Sequence, residues 1–168
     1  WLHFEPRSPR NDIGFVFYPG GKVETEAYAP ILYQIAEAGF ESYAVHVPGG
    51  IAFYKPNAAQ AVLDTGSSNQ WVLGGHSLGG VIAAQFVEKY SEEYPIVALS
   101  LWASYPAGSK DLSESNVLVD SIVGSLDGVL NWENYEESVE RLPSRTNWIS
   151  IEGGNHAQFG DYGFQEGD

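Results

Sequence analysis

Gly75-His76-Ser77-Leu78-Gly79 sets a serine between two glycines, directly after the apolar run Trp71-Val72-Leu73 and directly before an apolar-striped stretch over 78–90. A serine on a sharp strand-to-helix turn projects its hydroxyl out of a sheet, and glycines beside it let strand and helix approach without a Cβ clash. The hydroxyl is a weak nucleophile until a general base takes its proton, and that base is usually a histidine. The chain has four histidines. His3 and His46 precede the serine, and His76 is its immediate neighbour, so the His76 side chain should diverge from that of Ser77. His156 alone lies downstream, in Gly153-Gly154-Asn155-His156 just past a predicted strand, and is the candidate base.

A histidine base needs a carboxylate to hold its tautomer and to stabilise the imidazolium. Asp127 follows a predicted strand by the short turn Gly124-Ser125-Leu126 and is the candidate acid. Its bland alternative is a turn residue in Leu126-Asp127-Gly128. Asp120 lies inside that strand and Asp111 in an acidic loop, so both fit less well, and Glu152 at the end of the strand before His156 is the main rival. Backbone amides would complete the machinery by binding an oxyanion. One is expected from Leu78, at a helix N-terminus where the dipole favours negative charge. The other is expected from Pro19-Gly20-Gly21-Lys22, with Gly21 as the donor.

Such groups must be carried on strand ends, and the sequence supplies the strands. Apolar runs predict strands over 13–18, 42–47, 70–74, 96–102, 117–123 and 147–152, with a short edge strand over 1–5. A turn through Pro6, Ser8, Pro9, Asn11 and Asp12 follows the edge strand. Helical segments are expected over 26–38, 57–63, 78–90 and 132–142, with Pro30 tolerated only in a first turn. Strands apolar throughout and alternating with helices predict an α/β fold, a mostly parallel twisted sheet with helices on both faces. In such sheets reactive groups gather outside the carboxyl ends of the strands.

Composition narrows the partners. The chain has 168 residues, 43% of them hydrophobic, and a formal net charge of −14. That length and apolar content suit one domain with a real core. The charge disfavours nucleic acid and anionic lipid surfaces. No cysteine is present, which excludes disulfides and thiolate metal sites, and the histidines show no ligand spacing such as His-x-x-x-His. No apolar run approaches a membrane span. The sequence opens at Trp1 and contains no methionine, so a processed or partial form is expected, with the compartment left open between cytoplasmic and extracytoplasmic.

With those residues placed, the sequence resembles the α/β-hydrolase superfamily, and is most similar to a compact branch of small bacterial hydrolases. The matching segments are Phe17-Tyr18-Pro19-Gly20-Gly21-Lys22-Val23, Glu26-Ala27-Tyr28-Ala29-Pro30, Gly74-Gly75-His76-Ser77-Leu78-Gly79-Gly80 and Gly153-Gly154-Asn155-His156-Ala157-Gln158-Phe159-Gly160. The resemblance implies a Ser77-Asp127-His156 triad, no metal or organic cofactor, and a small-molecule ester or acyl substrate. Thioester or amide cleavage, acyl transfer and a catalytically silent binding domain are the alternatives. Only residues 103–116 stand where the superfamily usually inserts a cap, which implies an open cleft. The resemblance also implies a helix after His156, and the expectation is one domain over 1–168 lacking it. Tyr18, Phe53, Tyr54, Trp102, Tyr105 and Phe159 fall near strand ends and are candidate lining residues.

Overall fold

In the computed structural model, which describes residues 1–8 and 12–168, seven strands form one sheet in the order β1-β3-β2-β4-β5-β6-β7. The strands are β1 (Leu2–Phe4), β2 (Ile13–Tyr18), β3 (Glu41–Ala44), β4 (Gln70–His76), β5 (Ile96–Trp102), β6 (Leu118–Gly124) and β7 (Asn147–Ile151). Only β1 runs antiparallel to its neighbour, β3. The α/β class, the mostly parallel sheet and the absence of a cap all stand. Residues 103–117, between β5 and β6, hold no helix or strand. Pro9 and Asn11 of the predicted first turn lie outside the described residues.

Alternation along β2 shows how the layers form. Phe15 and Phe17 face one side and pack with Tyr28, Leu32, Trp102 and Phe159, beneath helix α1 (Ala29–Glu37). Val16 and Tyr18 face the other side and join Leu73, Ile82, Phe86, Leu99 and Leu101, beneath α2 (Gln60–Leu63) and α3 (Leu78–Tyr90). A strand buried on both faces therefore feeds two separate apolar layers. On the α1 side, Leu118, Ile149 and Ile151 remain exposed at the β6–β7 end of the sheet. No helix among the described residues is long and apolar enough to cross a membrane.

Local chemistry adjusted several expected boundaries. The helix expected over 26–38 is a 3₁₀ turn, Thr25–Tyr28, followed by α1. Pro30 lacks an N–H and its ring would strike a preceding helical turn, so the α-helix starts only one residue before it. β3 is shorter than expected, Glu41–Ala44, and β4 is longer, reaching His76 through Gly74 and Gly75. The helix expected over 57–63 is only Gln60–Leu63. The polar segment 132–142 is α4 (Trp132–Glu137) with a 3₁₀ turn, Ser138–Arg141. After His156 the described chain has a 3₁₀ turn, Ala157–Phe159, and no further helix.

Chain order sets the position of the site. From β2 the chain steps to β3 on one side, then crosses to β4 on the other. The crevice at such a switch point is where open α/β sheets place their ligands. Register brings the strand ends level there: Tyr18 opposes Gly75, His76 opposes Trp102, Trp102 opposes Ile122 and Gly124 opposes Ile151. The loops after β2, β4, β5, β6 and β7 thus leave the sheet at one edge.

Leu99 is fully buried in β5, at the centre of the layer under α3. Leu99→Ala should lower the unfolding free energy by about 2–5 kcal/mol, through lost transfer energy and the cavity left behind. A urea melt would show a lower midpoint at an unchanged slope; a loss under about 1 kcal/mol would show that this layer is loosely packed.

Candidate active site

Ser77 sits between β4 and α3 at φ 52° and ψ −123°, a conformation that L-residues adopt only under constraint. Its surroundings impose it. A Cβ on Gly75 would collide with the backbone of Gly79 and Gly80, and one on Gly79 with the carbonyl oxygens of Tyr18 and Pro19. Strand and helix therefore meet with no side chain between them. The Ser77 N–H donates to the Trp102 carbonyl at 2.9 Å, and the Ser77 carbonyl accepts from Ser104 Oγ at 2.7 Å. Trp102 ends β5 and Ser104 lies two residues beyond it, so the neighbouring strand and the start of its loop clamp the turn.

His156 and Asp127 come from the loops after β7 and β6, and those loops are stitched together. The Ser125 N–H donates to Ile151 O, the Leu126 N–H to Gly154 O, and the Gly153 N–H to Ser125 Oγ, at 2.9–3.0 Å. Within that frame His156 Nδ1 lies 2.8 Å from Asp127 Oδ2, and both residues are buried. The other carboxylate oxygen accepts the N–H groups of Val129 and Leu130 at 2.9 and 2.7 Å. Trp132 Nε1, at the start of α4, donates to the Asp127 carbonyl at 2.9 Å. Burial by itself would raise the Asp127 pKa. The His156 hydrogen bond and the two amides outweigh it and hold the carboxyl below its ordinary value.

The rival acids stand elsewhere. Asp120 is exposed and accepts from Asn147 Nδ2, and Asp111 lies in the loop before β6, where it accepts from the Ser113 N–H. Glu152 is exposed at the end of β7.

The two expected amide donors come together. A Cβ on Gly21 would lie 3.1 Å from Leu78 Cδ2, so the loop after β2 rests on the first residue of α3. Pro19 has no N–H, the Gly20 N–H donates to Tyr28 Oη at 3.0 Å, and the Lys22 N–H donates to Gly50 O at 2.8 Å. Gly21 is left as the residue of that loop whose N–H has no acceptor among the described residues, and the Leu78 N–H is in the same position. Lys22 itself is exposed.

Ser77 and His156 line one cleft of about 230 Å³ with Leu78, Val81, Tyr105 and Leu130. Of the six aromatic candidates, Tyr105 alone belongs to it. Tyr18, Trp102 and Phe159 are buried in the two cores, and Phe53 and Tyr54 are exposed on a turn. Sequence reasoning missed Ser104, although its place directly beyond β5 was a usable signal. It also missed Asp168, whose carboxylate accepts the N–H groups of His156 and Ala157 at 2.8 and 2.6 Å. The positive φ of Ala103 in the cleft wall, 44°, had no signal at all.

Because Asp127 ionises more readily folded than unfolded, its stabilising share is full above the ordinary carboxylate range and is lost as pH falls through the lowered folded value. Asp127→Asn should therefore flatten the decline of melting temperature between about pH 5 and pH 2. An acid limb as steep as that of the parent would show that the His156 hydrogen bond and the amides do not favour the charged form.

Comparison with known proteins agrees with this architecture. The alpha/beta hydrolase family matches residues 14–168. No curated protein sequence matches the chain. Similar solved structures include one from work on carboxylesterases of the ammonia-oxidising thaumarchaeon Nitrososphaera gargenis, at TM-score 0.73 and 12% identity, covering 94% of this chain and 87% of that one. Est1E from Butyrivibrio proteoclasticus is similar at TM-score 0.73 and 13% identity, with 92% and 84% covered. Mouse alpha/beta hydrolase domain-containing protein 10 is similar at TM-score 0.69 and 12% identity, with 94% and 86% covered. At these identities the likeness is one of fold. With the match over residues 14–168, the switch-point crevice and the strained serine turn at its mouth, the chain belongs to the α/β-hydrolase family.

Proposed function

We propose that the protein is a serine hydrolase that cleaves carboxylic-ester bonds through a covalent acyl-enzyme. The observation that carries this reading is one cleft that holds both a serine at a strained strand-to-helix turn and a buried histidine hydrogen-bonded to a carboxylate. Ser77 is the nucleophile, His156 the general base and Asp127 the carboxylate that orients it.

Asp127 receives the His156 Nδ1–H, which leaves Nε2 with a lone pair to accept the Ser77 proton. Ser77 Oγ then attacks the ester carbonyl. The oxyanion is taken up by the N–H groups of Gly21 and Leu78, donors with no other acceptor among the described residues. As the tetrahedral intermediate collapses, the imidazolium returns its proton to the leaving alcohol. Water attacks the acyl-enzyme in the second half, again with His156 as base. No metal or organic cofactor enters these steps. Leu78, Val81 and Leu130 give the cleft an apolar wall, and about 230 Å³ suits a short acyl chain better than a long lipid tail. The carboxylesterase work on one of the similar folds is in keeping with this substrate class.

A fluorophosphonate probe should modify Ser77, located by mass spectrometry, and modification should be lost in His156→Ala. Ser77→Ala should reduce hydrolysis of a p-nitrophenyl ester by at least about a thousandfold while leaving the melting temperature near that of the parent. Appreciable turnover by Ser77→Ala would refute the assignment.

A further inference from the structure

Beneath the loop that carries Gly21, three groups outside the triad form a continuous hydrogen-bond chain. The Gly20 N–H donates to Tyr28 Oη at 3.0 Å, and Tyr28 Oη lies 2.8 Å from His76 Nδ1. Tyr28 and His76 are both buried. A Cβ on Gly20 would lie 2.8 Å from Tyr28 Oη and 2.9 Å from His76 Nδ1, so the loop rests directly on the two side chains. Tyr28 ends the 3₁₀ turn ahead of α1, and His76 is the last residue of β4, covalently next to Ser77. The chain thus spans the switch point, from the strand end that carries the serine to the loop that carries the free Gly21 amide.

The direction of each bond follows from proton counting. An amide N–H can only donate, so the Tyr28 oxygen accepts from Gly20. Burial raises the Tyr28 phenol well above its ordinary value, so it keeps its proton, and that proton is free to go to His76. His76 is neutral: burial, and next the neighbouring His156 ring, push it down to about 3. Its Nδ1 therefore accepts and its proton sits on Nε2, which makes no close hydrogen bond among the described residues and has only the His156 backbone to turn to. A buried N–H so weakly paired is costly, and an apolar side chain would fill the same space without it. What the imidazole supplies and an apolar side chain would not is an acceptor for Tyr28.

We propose that Tyr28 and His76 are positioning residues that fix the loop after β2 so that the Gly21 N–H points at the oxyanion formed on attack by Ser77. This rests on the reading of Ser77 as the nucleophile. With the Tyr28 hydroxyl holding Gly20, and Gly50 O holding Lys22, the peptide between them is restrained on both sides. Such restraint acts on charge that develops only in the transition state, so its loss should lower kcat and leave KM nearly unchanged.

The test compares Tyr28→Phe, His76→Leu and His76→Asn with the parent, using p-nitrophenyl acetate kinetics, melting temperature and fluorophosphonate labelling of Ser77. Tyr28→Phe and His76→Leu should each lower kcat by about 10- to 100-fold with KM within about twofold. His76→Asn, whose amide oxygen can accept near the position of Nδ1, should recover most of that loss. Tyr28→Phe with kcat within about twofold of the parent would overturn the proposal. So would equal losses in His76→Asn and His76→Leu, because the acceptor would then be irrelevant. If Tyr28→Phe does not fold, the His76 pair decides alone. Failure of the parent to label at Ser77, or ester turnover by Ser77→Ala, would bring down the nucleophile assignment and this inference with it.

Discussion

The backbone of a single residue, Ser77 at φ 52° and ψ −123°, constrains much of what surrounds it. Strain of this kind costs on the order of 1–3 kcal/mol and persists only where neighbours leave no alternative. Here the neighbours are mostly backbone: Gly79 against the Tyr18 and Pro19 carbonyls, Gly75 against Gly79, and Trp102 O receiving the Ser77 N–H, with the Ser104 hydroxyl on the Ser77 carbonyl. The contact of Gly79 with the end of β2 does a second thing. It brings the first turn of α3 beside the loop 19–22, and so sets the Leu78 and Gly21 amides at one place. Turn strain and donor placement have the same packing cause.

The polar groups of the site are arranged so that almost every buried one is satisfied inside the protein. Both Asp127 oxygens are occupied, one by His156 and one by two amides, which favours a charged carboxylate in a buried position. Ser104 takes the Ser77 carbonyl, and Asp168 takes two amides of the loop that bears His156. The exceptions are informative. The Gly21 and Leu78 amides have no acceptor among the described residues, and His76 Nε2 makes no close hydrogen bond among them beside the His156 ring, whose centroid is 4.5 Å from its own.

Much of this was readable from residue types in order. Largely apolar runs at 13–18, 70–74 and 96–102 marked the central strands, and the glycines around Ser77 marked a close strand–helix approach. Asp127 over Glu152 followed from a position at a strand end after a short turn, and His156 followed from elimination. What could not be read depends on contacts between distant segments. Nothing local distinguishes Tyr28 from an ordinary buried helix-face tyrosine, because its partner His76 is 48 positions away. The aromatic lining was misjudged for the same reason. Proximity to a strand end does not say whether a side chain points over the edge, as Tyr105 does, or back between sheet and helix, as Trp102 and Phe159 do. Segment 26–38 was expected as one helix with Pro30 in its first turn; Pro30 does stand in the first turn of α1, and what spacing did not show is that the preceding turn, Thr25–Tyr28, is 3₁₀.

The connection between β5 and β6 contributes Ala103, Ser104 and Tyr105 to the cleft and then runs on to residue 117 without regular structure. The clamp on Ser77 comes from its first residues and the end of β5, while the remainder makes no hydrogen bond to Ser77, Asp127 or His156 and does not line the cleft. Doubling the length of a flexible connection costs only about 0.6 kcal/mol in closure entropy. New sequence can therefore be inserted beyond Tyr105 at little thermodynamic expense, roofing the cleft and changing which molecules enter it. The stretch that holds the serine turn and the stretch that could grow over it are thus different parts of one connection, and the second can diverge while the first stays fixed.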